Sequence, residues 1–328
     1  MYRLYMALGK YAQAAKTAVI ISKQEQDLGN YRYARQVLYQ TQRELMQMNM
    51  KVPKNLRQAF SLIHSYLLVK GLAKSGDHLN AARMLIRVAN NISKFPAHDV
   101  SILTSCVIEC QRAGLKAMAF KYASKLIMVP EFREKIPPKF KRKIEQIVRK
   151  FRHCKDDVTE CETTPSPYAP QREVPVVDLV CPITKNDLPW CVVSGYHMNL
   201  SDWCVCPNSK LPALYSKYKE FIQRGGSVDP VLGKPIRASD LILVEDPKSL
   251  LKSFDGSDSS SSSSSSSDSE KGKKSGNSDE SEDTKKTGPG GKNTNDWTKG
   301  KLKSGSEEKL LIKERRGSRS EDDTKRGR

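Results

Sequence analysis

The sequence predicts a mainly α-helical protein. A degenerate tetratricopeptide-like α-solenoid is expected over residues 1–153, a linker over 154–178, a small cysteine- and histidine-bearing module over 179–250, and a disordered, Ser-rich charged tail over 251–328. Three observations predict this. Apolar residues up to position 150 recur at three- and four-residue spacing, with proline nearly absent before Pro130. A glycine-then-alanine phrase repeats through the same stretch. Beyond Lys252 almost no apolar residues remain, so burial cannot offset chain entropy.

The repeated phrase is LGKYAQAAKTA from Leu8, LGNYRYARQVL from Leu28, KSGDHLNAARML from Lys74 and RAGLKAMAFKYA from Arg112. In each, a glycine (Gly9, Gly29, Gly76, Gly114) precedes an alanine (Ala14, Ala34, Ala81, Ala119) by five residues. Glycine takes the left-handed conformation that closes a helix. The alanine falls one turn into the next helix, where a small side chain lets paired helices approach. This is the grammar of helix–turn–helix repeats, here at uneven intervals.

After the proline break at Pro130–Pro138, KFKRKIEQIVRKFRHCK places Phe140, Ile144, Ile147, Val148 and Phe151 on one helical face, with Lys and Arg around the rest. The bland reading, a last solenoid helix with a solvated basic face, is preferred. The alternative is a helix for a membrane surface or an acidic partner. Residues 154–178 are polar and proline-bearing, a linker or an extended lead-in strand. Cys106 and Cys110, four apart on one helix, read as small core residues.

The 328 residues carry a net charge of +19. Residues 1–150 hold about 27 Lys/Arg against about 9 Asp/Glu, so the basic excess sits in the first half. Such a surface attracts acidic protein, nucleic acid or anionic lipid without choosing among them. The start lacks the apolar core of a signal peptide, and no run approaches the ~20 apolar residues of a membrane span. Eight cysteines in such a chain read as free thiols or metal ligands in a reducing compartment.

Four of those cysteines lie in LVCPITKNDLPWCVVSGYHMNLSDWCVCPNSKLPAL, residues 179–214. Structural zinc takes four Cys or His ligands, often from two C-x-x-C knuckles. Cys181-Pro-Ile-Thr184 and Cys206-Pro-Asn-Ser209 have such frames, but each ends in a hydroxyl that does not ionise near neutral pH. Cys181, Cys191, His197 and Cys206 are the candidate zinc ligands, an incomplete set; Cys204, two residues from Cys206, is awkwardly spaced. The donor chemistry favours a fold without a cofactor, with zinc as the alternative. Trp190, Trp203, Val192, Val193, Leu200, Leu211, Leu214 and Tyr215 are expected to supply a small core. YSKYKEFI reads as a helix, followed by a strand pair around Gly233-Lys-Pro235 and a closing strand LILVE. A β-rich unit of this size is marginal alone.

MLIRVANNISKFPAHDVSILTSCVIECQRAGLKAMAFKYA, YRLYMALGKYAQAAKTAVIISKQEQDLGNYRYA, HSYLLVKGLAKSGDHLNAARML and GYHMNLSDWCVCPNSKLPALYSKY together resemble the C-terminal part of the WD repeat-containing protein 19 family, core subunits of intraflagellar transport complex A. The resemblance implies a zinc-ribbon or RING-like module with paired knuckles. Thr184 and Ser209 depart from that pattern, as does a third knuckle at Asp229-Pro-Val-Leu232. It also implies WD-repeat propellers, which this sequence lacks, so a C-terminal part of the family pattern is expected. The implied role is non-enzymatic: a scaffold in retrograde transport, cilium assembly and delivery of membrane proteins to cilia, located at the cilium, its base and the cytoplasm. Its partners would be other complex-A subunits and, indirectly, membrane-protein cargo.

Two other classes compete. CPITKNDLP followed by DPVLGKPI is loosely like a U-box, where hydrogen bonds replace metal, so a U-box- or RING-like ubiquitin ligase is one alternative. A basic nucleic-acid-binding protein is the other, though aromatics interleaved with the basic patch are wanting. No phosphate loop, H-E-x-x-H or nucleophile elbow is present, so no enzyme is expected. The Ser259–Ser267 run, flanked by Asp258, Asp268 and Glu270, suits an acidic-directed kinase or serves as a solvated spacer.

Overall fold

A computed structural model describes residues 1–153 and 162–252. The expectations for the rest of the Ser-rich tail, and for 154–161, lie outside the described residues. All described residues fall within one compact unit, Met1–Ser261.

Helices follow one another from the start: α1 Tyr2–Ala7, α2 Tyr11–Asp27, α3 Tyr31–Gln47, α4 Lys54–Lys74, α5 His78–Asn90, α6 Asp99–Arg112, α7 Lys116–Met128, α8 Pro130–Lys135 and α9 Pro138–His153. From α1 to α7 each helix packs on the next, and α9 returns onto α7. Gly9, Gly29, Gly76 and Gly114 have φ of 67°, 82°, 80° and 79°. Each is followed by an amide that reaches back to close the helix, as in Leu115 N–H to Cys110 O at 2.9 Å and Asn30 N–H to Glu25 O at 2.8 Å. Ala14, Ala34, Ala81 and Ala119 are fully buried, each making its helix's first α-type bond, as in Ala34 N–H to Asn30 O at 3.0 Å. A fifth such turn uses Asn49, at φ 53°, with Met50 N–H bonded to Leu45 O at 2.9 Å. A glycine search misses it, although asparagine tolerates this conformation better than most residues.

Ile144 and Val148 of α9 are buried, with Phe140 and Ile147 half-buried, so this part of the apolar face of the basic helix is set against the core on the side of α7. The Cys106 and Cys110 thiols lie 3.9 Å apart in the core. Among the described residues no helix is long and apolar enough to cross a membrane.

The described part of the expected linker is built into the fold. Strands β1 Thr163–Pro165 and β2 Glu173–Pro175 pair antiparallel, Thr164 opposite Val174, and Val174, Val176 and Val177 are buried. Next comes a three-stranded antiparallel sheet of β3 Trp203–Val205, β4 Pro212–Leu214 and β5 Ile242–Leu243, in the order β4-β3-β5. Helix α10 is Tyr215–Gln223 and α11 is Pro247–Lys252. The strand pair expected around Gly233 reduces to one bridge, Val228 to Pro235, and LILVE is regular only at Ile242–Leu243. Of the expected module core, Val192, Val193, Trp203, Leu211 and Leu214 are buried, while Trp190, Leu200 and Tyr215 are partly exposed.

The main core does not stop at the end of the helices. Leu38, Leu56, Phe60, Leu85 and Val107 belong to the same buried cluster as Val176, Val192, Trp203, Leu214 and Tyr218. At roughly 1.5–3 kcal/mol for each large apolar side chain buried, this continuity supplies what strands of two or three residues cannot.

Candidate functional site

Three turns of the module have one backbone design. Cys181 N–H donates to Asn186 O and Lys185 N–H returns to Cys181 O, both at 2.9 Å. Cys206 N–H donates to Leu211 O at 3.0 Å and Lys210 N–H returns to Cys206 O at 2.9 Å. Asp229 N–H donates to Lys234 O at 2.7 Å and Gly233 N–H returns to Asp229 O at 2.8 Å. The fifth residue of each turn is left-handed: Lys185 at φ 61°, Lys210 at 59° and Gly233 at 69°. The three knuckle frames read from the sequence thus share a fold, whatever stands in their ligand positions.

At the leading positions of these frames, hydrogen bonds stand where metal ligation would. Asp229 Oδ1 accepts the amides of Val231 at 2.7 Å and Leu232 at 3.1 Å. The Cys206 thiol donates to Asp229 Oδ2 at 3.0 Å, and Tyr218 Oη donates to Cys206 Sγ at 3.7 Å. Burial, then the Cys206 sulfur, push the Tyr218 hydroxyl pKa far up. Cys181 lies apart, clustered with Val174 and Leu188, its sulfur 3.5 Å from Thr184 N–H and 3.6 Å from Ser166 Oγ. Burial pushes the Cys181 thiol up, but the hydrogen bonds from Thr184, Ser166 and the Ile183 amide outweigh it and hold it below its ordinary range.

Cys191 Sγ accepts Leu214 N–H at 3.4 Å. His197 is fully buried; its amide donates to Val176 O at 2.7 Å, and neither ring nitrogen has a hydrogen-bond partner among the described residues. Burial, aided by the Arg87 charge, lowers its pKa to about 3. Cys204 is pushed up to about 12 by burial first and then by the neighbouring sulfur of Cys191.

The expected ligand set therefore does not assemble. Cys181 lies in a small cluster of its own while Cys191 and Cys206 belong to the main core, and among the described residues no three His, Cys, Asp or Glu side chains converge on a point that could hold a metal ion. The facing turns at 206–209 and 229–232 offer one thiol, one carboxylate, a serine hydroxyl and a leucine. That donor set does not fit structural zinc. The Cys206–Asp229 pairing was beyond sequence reasoning, because spacing along the chain does not say which turns face each other.

A cavity of about 520 Å3 opens where the α3–α4 connection meets β3 and α11. Met46, Met50, Trp203 and Leu250 give it apolar walls, and Lys51 and Lys210 add basic groups.

No family model matches the chain. Among curated proteins, it is 46% identical over 255 residues to WD repeat-containing protein 19 of Mus musculus and, equally, of Homo sapiens; the match takes in 77% of this chain and 18% of each relative. It is 41% identical over 220 residues to WD repeat-containing protein dyf-2 of Caenorhabditis elegans, across 67% of this chain and 16% of that protein. The chain thus spans less than a fifth of the length of these relatives. Over the matched residues, the chain is of the WD repeat-containing protein 19 family.

Proposed function

We propose that the chain is a non-enzymatic scaffold subunit of intraflagellar transport complex A. In this role it serves retrograde intraciliary transport, cilium assembly and the delivery of membrane proteins to cilia, at the cilium, its base and the cytoplasm. Its partners are other complex-A subunits, with membrane cargo engaged indirectly and nucleic acid not at all. The observation that supports this most is the 46% identity over 255 residues, a span too long to lie within the helices or the module alone.

The physics of the fold suits the role. Stacked helices bury one face on their neighbours and leave long surfaces for other proteins. The cavity beside Met46 and Met50 suits a partner segment with an apolar anchor beside carboxylates. The test is to express the full chain with an affinity tag in ciliated cells and identify what co-purifies by mass spectrometry. Recovery of complex-A subunits is expected. Their absence from a soluble, folded sample overturns the proposal.

A further inference from the structure

The turns that would carry zinc ligands are gripped from outside by side chains of the helices. On α3, Tyr39 Oη donates to Ser209 O at 3.2 Å, and Arg35 donates to Pro230 O at 3.0 Å and Val231 O at 3.4 Å. On α4, His64 Nε2 lies 2.8 Å from Val192 O; with its pKa lowered to about 4, chiefly by burial, the ring is neutral and donates from that nitrogen. Just past the Cys181 turn, Asp187 meets Lys54 at 2.9 Å, Arg57 at 3.0 Å and Gln58 at 3.1 Å. On α5, fully buried Arg87 donates to Gly195 O at 2.7 Å and Val177 O at 3.2 Å. Arg83 holds Glu162 through two hydrogen bonds of 2.6 Å.

This distribution is not that of a module resting on a neighbour through side-chain contacts alone. The acceptors are mostly backbone carbonyls of the turns themselves: Val192 and Gly195, Ser209, Pro230 and Val231. An ion in a paired knuckle fixes two turns relative to one another, and small units without such a staple seldom hold together. Here α3 grips both members of the facing pair, through Tyr39 at one turn and Arg35 at the other. Across the pair, the Cys206 thiol and Asp229 carboxylate meet where ligands would share a metal.

We propose that the module folds without metal, and that the helix side chains, led by Arg35, Tyr39, His64 and Arg87, hold its turns in place of zinc. Helices and module are then one folding unit. This stands independently of the transport role, because it concerns how the chain holds its shape.

The test uses the purified full chain. Its zinc content is measured by plasma mass spectrometry after growth in zinc-supplemented medium, and its thermal unfolding is followed with and without a strong zinc chelator. Far less than one zinc per chain and an unchanged Tm are expected. One zinc per chain, or unfolding on chelation, overturns the metal-free assignment. Amide hydrogen exchange then tests the grip. Tyr39→Phe, a mild change, should speed exchange at Cys206 and Lys210 about five-fold, the scale of one lost hydrogen bond of about 1 kcal/mol. Arg35→Ala should do so more strongly at Asp229 and Gly233, while exposed Arg149→Ala changes neither turn. If all three variants protect the turns equally, the helices do not hold them and the proposal fails.

Discussion

Replacing His197 with phenylalanine separates the two chemistries this histidine could serve. In the structure the ring is sealed in the core, neutral, with both nitrogens unpartnered among the described residues. Its pKa falls from the ordinary 6.5 to about 3 on folding. A base with a lowered folded pKa is protonated more readily in the unfolded chain, so stability rises with pH across the gap. His197's contribution is fully present above pH 6.5 and is lost as pH falls towards 3. Between pH 7 and pH 5 the loss is about 2 kcal/mol, from one and a half pH steps at 1.36 kcal/mol each. His64, lowered to about 4, adds a similar amount over the same window. Phe has no proton to gain, and replacing an unpartnered polar group by an apolar one of similar shape is close to neutral or stabilising. His197→Phe should therefore match the parent at pH 7 and lose about 2 kcal/mol less than it at pH 5. Urea unfolding of both proteins at the two pH values measures this. A variant with the parent's full pH dependence would refute the burial argument. A variant several kcal/mol weaker at pH 7, with zinc released from the parent sample, would make His197 a ligand after all.

Arg87→Ala strips the Val177 and Gly195 carbonyls of a buried charged donor, and should destabilise the chain by about 3 kcal/mol even after relief of the guanidinium's own burial cost; a urea midpoint within error of the parent would contradict this. A Cβ at position 195 would sit inside the envelope of the Arg83 Cβ and backbone, so Gly195→Ala should cost roughly 1–3 kcal/mol in the same assay. Lys210 holds φ 59°, a strain of about 1–2 kcal/mol for a side-chain-bearing residue, partly offset by glycine's greater chain entropy. Lys210→Gly should accordingly raise stability by about 0.5 kcal/mol. Ser209→Cys, Asp229→Cys and Leu232→Cys together, with Cys206, should create a four-thiolate site that takes up one zinc or cobalt ion, read from the cobalt charge-transfer band; no uptake would mean that the two turns do not face each other as described.

Much of the helical half was legible because its signals are local. A glycine at positive φ followed five residues later by a buried alanine is a backbone requirement written at fixed offsets, and all four phrases mark real turns. Asn49 escaped because asparagine reaches the same conformation without being required there. The cysteine stretch was legible in its chemistry: Thr184, Ser209 and Leu232 cannot serve as thiolates wherever they sit. Its geometry was not. Val174 reads as part of a linker because its neighbours are polar and proline-rich, and only the pairing of β1 with β2 buries it. Nothing in the residues around Arg87 marks it as buried, yet it is 1% exposed because the segment carrying Val177 and Gly195 lies over α5.

By itself, then, the sequence determined the four helix-closing turns at Gly9, Gly29, Gly76 and Gly114 and which donors are missing from the module, since both follow from residues a few positions apart. Only the tertiary structure decided that Cys206 meets Asp229, that Arg35, Tyr39, His64 and Arg87 reach the turns, and that one core runs through both halves. Those contacts join residues up to 196 positions apart along the chain, and their worth depends on what is buried with them. Neither property is encoded in any local pattern.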